Sequence, residues 1–408
     1  MADAAAGMSF DPASLPRSAW LRIDIDAIQA NLEVIRVLAG SGTPVFPVVK
    51  ANAYGHGAVH VARALEAAGA DGFCVAAIDE ALALRAAGIR RSILVLYPVP
   101  PAWAAEAARK GIAITAGDPE LLGATLRAVG EAGARRPLAI QLEVETGLGR
   151  GGFAGPALTV AAGRVAGAPG ARLAGLWTHL QAPEDAGATA AQLVAFEAGT
   201  AALREAGIRL PRRHVRASGS LLTEGVASYD GVRPGLSVYG LIPDELAALR
   251  DDATAARLRP VLSLRARPVR VVELPAGWGI SYGPTFRTAR PSRIATLPVG
   301  YGDGWSRALS NRASALVRGV TVPLVGNVAM DAVMADVTDV PGPPVTVTDE
   351  FVLIGRQGSA EISVADVARA RQTNTWEVVT GMSRRLPRVY DSGSGPVAVQ
   401  TLVTGGVG

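Results

Sequence analysis

Between about residues 43 and 240, short apolar, β-branched runs alternate with Ala-rich segments whose apolar positions recur at helical spacing. PVFPVVK, GFCVAA, ILVLYP, GIAITA, LAIQLEVE, AGLWTHL, HVRAS and the apolar tail of GVRPGLSVYG read as strands. AVHVARALEAAGA, IDEALALRAAGI, DPELLGATLRAVGEAG and AAQLVAFEAGTAALREAG read as helices between them. Eight strands alternating with helices predict an α/β fold, a (β/α)8 barrel of TIM type, with a doubly wound open sheet as the alternative. A strand-like WLRIDID followed by AIQANLEVIRVLAG precedes the barrel proper.

After about residue 258 the pattern changes. VLSLRARPVRVVEL, RIATLPVG, ASALVRGVTVPLV, AVMADVTDV and EFVLIG are Val- and Arg-rich runs punctuated by Gly and Pro, which predict a mostly β domain. Helical spacing returns only in SVADVARARQ and TNTWEVVTGMS. The expected organisation is an N-terminal extension over 1–18, a barrel over 19–257 and a C-terminal β domain over 258–408.

Composition narrows the function. The 408 residues are 49% hydrophobic, enough for two cores, and 40 basic against 36 acidic residues give a net charge of +4. Charge is spread along the chain, which argues against nucleic acid as a partner. The basic residues are almost all arginine; Lys50 and Lys110 are the only lysines. Lys110, in AARKGI, reads as a solvated helix-end lysine. The single cysteine, Cys74, sits in an apolar run and reads as buried core in a reducing compartment. His56, His60, His179 and His214 are scattered without an HExxH pattern, so no metal is expected. The first 20 residues lack the apolar core of a signal peptide and no later segment reads as a membrane span, so the expected location is cytoplasmic.

In a barrel of this type the C-terminal ends of the strands line the active site. Those ends carry Lys50, Arg150 after the TGLGR turn, His179, Ser218 and Arg233. One lysine, two arginines, a histidine and a hydroxyl, without paired carboxylates, suit a phosphate-bearing ligand. Gly235 offers an unhindered backbone for its approach. Each residue also has an ordinary reading: a strand-end lysine as a solvated cap, His179 as a core histidine, Arg233 as a surface arginine before a turn. Residue spacing alone supports an anion-binding barrel with an active-site lysine.

VVKANAYGHG resembles the cofactor-lysine signature of alanine racemases, which are fold-type III pyridoxal 5'-phosphate (PLP) enzymes. The resemblance runs from about residue 19 to 390, through VETGLGRGG, WTHL, VRPGLSVYGL, GISYGPTF, LPVGYGDGW, VGNVAMDAVMADV and RRLPRVY, in family order. It implies that the chain interconverts L- and D-alanine as a homodimer with shared active sites. Lys50 is implied to hold PLP as a Schiff base and to act as base on one face of the substrate. Tyr282, from the second subunit, is implied as the acid/base on the other face. The resemblance further implies a phosphate site made by Tyr54, Ser218 and the backbones of Gly235 and Leu236. Arg233 would face the pyridine nitrogen, with His179 beside the ring. Arg150 would reach the substrate carboxylate, completed by the Met330–Asp331 turn of the partner, and Tyr301 would stand in the entrance.

The chemistry gives reasons for these residue types. Racemisation removes a proton from one face of a planar centre and returns one to the other. A lysine surrounded by positive charge has a lowered pKa and can serve as base. A tyrosine, with a reference pKa of about 10, needs nearby cations to do the same. An arginine, whose pKa lies above about 12, donates a hydrogen bond to the ring nitrogen without protonating it, which keeps the electron sink weak.

Three positions depart from the family pattern. Glu143 stands where the family commonly has a carbamylated lysine that positions the TGxxR arginine. Ala217 replaces an asparagine near the phosphate. Arg384 replaces a tyrosine, and is expected near the entrance, adding positive charge there. These changes keep open a racemase of broader or different specificity. A basic amino-acid decarboxylase would need an acid in place of Arg233 and a catalytic cysteine, and a non-catalytic PLP-binding protein would lack the β domain.

Overall fold

The computed structural model describes residues 12–404 except Ala134, Asp252 and Thr254. Residues 1–11, most of the expected extension, lie outside the described residues. The chain forms two compact units. One comprises Ile28–Ala53 and Ala58–Arg259; the other comprises the residues up to Ala27, the short insert Tyr54–Gly57 and the chain from Pro260 onward.

The first strand, β1 (Ala19–Asp24), belongs to the second unit rather than to the barrel domain expected over 19–257. It pairs in parallel with Arg388–Ser392 and antiparallel with Leu262–Ala266, so both its edges are satisfied there. Its sequence specifies a strand but not the sheet it joins.

The barrel unit contains β2 (Gly72–Val75), β3 (Ser92–Pro98), β4 (Ile112–Ala116), β5 (Leu138–Glu143), β6 (Ala171–Trp177) and β7 (Arg212–His214), parallel and adjacent in chain order. Two irregular staves close the ring. On one side of residues 45–49, Val49 N–H donates to Cys74 O (2.8 Å) and Cys74 N–H to Pro47 O (2.9 Å). On the other side, Phe46 N–H donates to Val232 O (2.9 Å) and Val48 N–H to Pro234 O (2.8 Å). Residues 232–234 then meet the end of the sheet through Arg233 N–H to Arg216 O (2.8 Å). This closure selects the barrel over the open sheet. Pro44, Pro47 and Pro234 have no N–H to give, so these staves form isolated bridges rather than full ladders. The eighth stave is Val232–Pro234, not the apolar tail expected from GLSVYG. Gly235 (φ −111°, ψ −90°) leaves the extended region, and Leu236–Tyr239 coils into a 3-10 turn.

Acidic caps start two of the intervening helices, one of them four residues ahead of the expected AAQLVAFEAG segment. Asp118 accepts from the Glu120 and Leu121 amides ahead of Pro119–Glu131, and Asp185 does the same for Ala186–Glu205. Barrel strands therefore end at defined positions.

Lys50 ends the first stave, and the chain then does something unusual. Ala51, Asn52, Ala53 and Tyr54 all have φ between +50° and +56°, a left-handed turn built without glycine. Such a conformation costs about 1–2 kcal/mol per residue. Hydrogen bonds offset it: Ala53 N–H to Val49 O (2.9 Å), Ala51 N–H to Glu80 Oε1 (2.6 Å) and Ala58 N–H to Asn52 Oδ1 (3.0 Å). The glycines that follow are needed for space. A Cβ on Gly55 would lie 2.1 Å from Val379 O, and one on Gly57 1.8 Å from the Tyr390 hydroxyl.

The second unit is a long mixed sheet. From one edge it runs through Gly395–Gln400, Arg388–Ser392, β1, Leu262–Ala266, Phe351–Gln357 and Ser314–Val317. It continues through Val320–Val325, Val333–Asp336, Ser292–Leu297 and Arg270–Leu274. Helices occur at Val364–Arg371 and Thr375–Thr380, as the sequence suggests. A small core of Ile280, Ile294 and Val325, flanked by Leu274, Phe286 and Met334, underlies the loop that carries Tyr282.

The left-handed turn yields a stability test. At exposed Ala51, Ala51→Val is expected to destabilise the protein by about 1–2 kcal/mol and Ala51→Gly to stabilise it by up to about 1 kcal/mol. Urea denaturation of the two variants measures both signs.

Candidate active site

Lys50 lies at the C-terminal end of the first barrel stave, partly buried. Burial, and next the charge of Arg150, lower its pKa; Glu80 and Cys74 pull the other way. A larger fraction of neutral amine follows, which is what a nucleophile or base requires.

Arg150 is aimed by two contacts. Its NH2 donates to Glu143 Oε1 at 2.9 Å, and its guanidinium lies 5.5 Å from the Tyr97 ring centroid. The TGLGR turn is shaped by Glu145, whose carboxylate accepts the amides of Gly147 (2.5 Å) and Gly149 (3.0 Å). Glu143 itself is buried on β5. Burial raises its carboxyl above the ordinary range, while the hydrogen bond and charge of Arg150 pull it back.

Arg233 is the most constrained cation in the barrel, at 3% exposure. Its NH1 donates to His214 O (2.8 Å) and, at very short range, to His214 Nδ1. Its NH2 donates to Thr178 O (2.7 Å), and its guanidinium lies over the Trp177 ring, 4.9 Å from the centroid. His214 Nε2 meets Gln141 Oε1 at 2.6 Å. These contacts assign one tautomer to His214: Nε2–H donates to Gln141 and Nδ1 accepts from Arg233. Burial, then Arg233, hold His214 well below its usual pKa and therefore neutral. Burial lowers the pKa of Arg233 to about 10, which leaves it charged at neutral pH. His179 is brought down to about 3 by burial and then by Arg233, Arg150 and Lys50, so it is neutral too.

Beside Arg233, Ser218 Oγ accepts the amides of Gly235 (2.8 Å) and Ser237 (3.2 Å) and the Ser237 hydroxyl (3.1 Å). Donors converging on one oxygen suit an anionic group. Leu236 follows Gly235 in the same turn, and Ala217 gives its N–H to Ser220 Oγ (2.9 Å). Lys50, Arg150, His179, Ser218, Arg233, Gly235 and Leu236 thus share the barrel unit.

The remaining expected residues lie in the second unit. Tyr282, Tyr301, Met330 and Asp331 line one hollow of about 670 Å3. Tyr282 is 78% exposed, but its backbone is pinned: Asn327 Nδ2 donates to Tyr282 O (2.9 Å) and Gly283 O (3.0 Å). Ser281, at φ +64°, donates from Oγ to Asn327 O (2.6 Å). The Met330–Asp331 turn is held by Tyr301 N–H to Ala329 O (3.0 Å) and Gly302 N–H to Met330 O (2.9 Å). Gly300 is required there, since a Cβ would stand 2.2 Å from Ala329 O. Asp331 pairs with Arg385 (2.5 Å), and fully buried Asp303 joins Arg385 (3.5 Å) to Arg17 (2.6 Å). Arg384 is exposed beside Arg385 and is not among the residues lining the hollow. Tyr54 is buried, in the insert that belongs to this second unit.

Sequence reasoning did not single out His214, Gln141, Trp177 or Thr178. A signal existed in LAIQLEVE, where Gln141 and Glu143 occupy alternate positions of an otherwise apolar barrel strand and so face its lumen. Among the described residues, no group of three or more His, Cys, Asp or Glu could hold a metal ion, and no helix is long and apolar enough to cross a membrane.

Residues 23–243 match the family description "Alanine racemase, N-terminal domain", and residues 261–390 match "Alanine racemase, C-terminal domain". The chain is 42% identical over 377 residues to the alanine racemase of Symbiobacterium thermophilum, covering 92% of this chain and 97% of that one. It is 39% identical over 374 residues to that of Thermobifida fusca, covering 90% and 97%. The solved alanine racemase of Bacillus anthracis with bound L-Ala-P superposes with a TM-score of 0.88 at 33% identity, over 96% of this chain and 99% of that one. The Streptomyces coelicolor enzyme gives a TM-score of 0.83 at 35% identity, over 93% and 99%.

Cys74, 1% exposed, has its thiol pushed up to about 12 by burial. A thiol-specific chromogenic reagent is therefore expected to find no reactive sulfhydryl in the native protein and one per chain after denaturation.

Proposed function

The chain belongs to the alanine racemase family, and on that premise we propose that it interconverts L- and D-alanine with PLP, using Lys50 and the partner subunit's Tyr282 as opposed bases. The observation that carries this reading is Lys50: a lysine of lowered pKa at a barrel-strand end, within the field of Arg150 and in the same unit as the Ser218–Gly235 donor cluster. The donor set fits the cofactor. Lys50 would hold it through Nζ, and Ser218 Oγ, Tyr54 and the amides of Gly235 and Leu236 would take its phosphate. Arg233 would face the pyridine nitrogen with His179 beside the ring. When bound, PLP supplies the electron sink that acidifies the substrate's α-proton.

This chain's residues do the rest. Arg150, aimed by Glu143, binds the substrate carboxylate, and the partner subunit's Met330 and the partner subunit's Asp331 complete that pocket. Lys50 Nζ takes the α-proton on one face while the partner subunit's Tyr282 delivers one on the other. Arg233, still charged at neutral pH, gives a hydrogen bond but no proton, which limits charge withdrawal into the ring. Tyr301 would stand in the entrance, and exposed Arg384 would add positive charge near it. The homodimer places each tyrosine opposite the other subunit's lysine, and the lone buried thiol suits the cytoplasm. A decarboxylase is disfavoured, because Arg233 stands where an acid is needed and Cys74 is buried. The exposed Arg384 leaves a broader amino-acid range as the second reading.

The central test is optical and isotopic. The purified protein should be yellow, and Lys50→Ala should abolish the covalently held chromophore. In D2O, Tyr282→Phe should slow α-proton exchange by about 100-fold or more for at least one alanine enantiomer. Covalent PLP retained by Lys50→Ala, or full-rate exchange of both enantiomers by Tyr282→Phe, would falsify the assignment. A panel of L-amino acids then measures the range.

A separate test concerns Glu143. Glu143→Gln is expected to raise KM for alanine about tenfold or more while changing kcat less, as for a lost hydrogen bond to a charged group. Burial raises the Glu143 pKa, so the wild-type pair should fail at a higher pH than an exposed glutamate would on acidification. The acid rise in KM should flatten in Glu143→Gln. For stability the sign is opposite: a carboxyl with raised pKa favours the fold when protonated and loses that contribution as pH rises. The stability of Glu143→Gln relative to wild type should accordingly increase from acid to neutral pH.

A further inference from the structure

At the end of the barrel opposite Lys50, where the strands begin, the lumen is not filled. TIM-type barrels pack this space with layers of bulky branched side chains. Here β4, β5 and β6 contribute Ala113, Ala139 and Ala174 instead, and a chamber of about 300 Å3 remains. Cavities of about 150 Å3 already admit a benzene ring. Part of the wall is apolar, with Phe46, Phe73 and Leu94. The inner end is polar, formed by Gln141, His214 and Arg233, the groups that fix the buried guanidinium.

Arg172 and Arg212 stand among the chamber's lining residues at the strand starts, both exposed, and neither guanidinium makes an ion pair among the described residues. Asp230 also lines the chamber, but its carboxylate is engaged by the Arg213 amide (2.8 Å) and lies 3.9 Å from the Arg213 guanidinium. A cleft of about 580 Å3 shares Ser92, Ala113, Ala139 and Arg172 with the chamber, and adds Arg90, Lys110 and Arg136 without lining acids. A charged approach thus leads to an apolar chamber.

We propose that this chamber is a second binding site, for a small carboxylate with a short apolar body, its anionic end on Arg172 and Arg212. The site is independent of the racemase reading and stands whether or not that reading holds. Occupancy would press on the Gln141–His214–Arg233 chain from the side away from Lys50.

The test titrates the full-length holoenzyme with 4-fluorobenzoate, followed by 19F NMR. One saturable site per chain is expected, with a Kd of about 1 mM or tighter. Ala139→Leu fills the chamber, and the double variant Arg172→Ala/Arg212→Ala removes the anchors. Each should weaken binding at least tenfold, while saturating alanine leaves it in place. The exposed arginine pair keeps the test valid should Ala139→Leu fail to fold. Absence of saturable binding, unchanged affinity in the arginine double variant, or competitive displacement by alanine overturns the proposal.

Discussion

A guanidinium enclosed by protein, and still charged at neutral pH, biases the protonation of the groups around it in this barrel. Arg233 keeps its charge at neutral pH despite 3% exposure, because backbone carbonyls of Thr178 and His214 surround it and Trp177 presents its ring. A buried cation of this kind suppresses protonation of its neighbours. His214 and His179 are both neutral for that reason in addition to burial. Lys50, near the second cation Arg150, is moved in the same direction. The barrel therefore keeps Arg233 charged at neutral pH and takes protons away from the histidines and lysine around it. Among the described residues Glu143 is the carboxylate paired within this cluster, and it is engaged by Arg150.

Conformational strain works alongside this electrostatic constraint. Four successive non-glycine residues after Lys50 adopt a left-handed turn, held by Glu80, Asn52 and Val49. Strain of this kind persists only where surrounding contacts over-determine the backbone. The consequence is a lysine whose Cα is fixed on both sides, by the barrel hydrogen bonds before it and by the turn after it. On the second unit, Tyr282 has a side chain exposed in the single chain, while Asn327 grips its backbone. Both residues are held through their main chains, Lys50 in a partly buried setting and Tyr282 in an exposed one.

Much of this was legible in the sequence, for identifiable reasons. Strand–helix alternation predicts eight barrel strands, six of which are regular, and the β texture after residue 258 marked the second unit, because period-2 and period-3.6 patterns are local properties. Partner choice is not local. WLRIDID reads as a strand anywhere, yet β1 joins the sheet of the second unit. PVFPVVK reads as a strand and is one of the two closing staves, but the other, Val232–Pro234, was obscured by Pro234, which interrupts the ladder without interrupting the barrel. ANAY gives no hint of positive φ because it contains no glycine. His214 looked like one scattered histidine among four until the fold set it between Gln141 and Arg233.

The scarcity of lysine has a practical consequence. Lys110 ends a helix immediately before β4 and is exposed at the end of the barrel where the strands start. Lys50, partly buried with its pKa lowered, is at the other end. Apart from the chain's own α-amine, an amine-directed surface chemistry has one accessible handle. Attached through Lys110, molecules on a sensor or resin would share an orientation, with the C-terminal ends of the barrel strands turned away from the support.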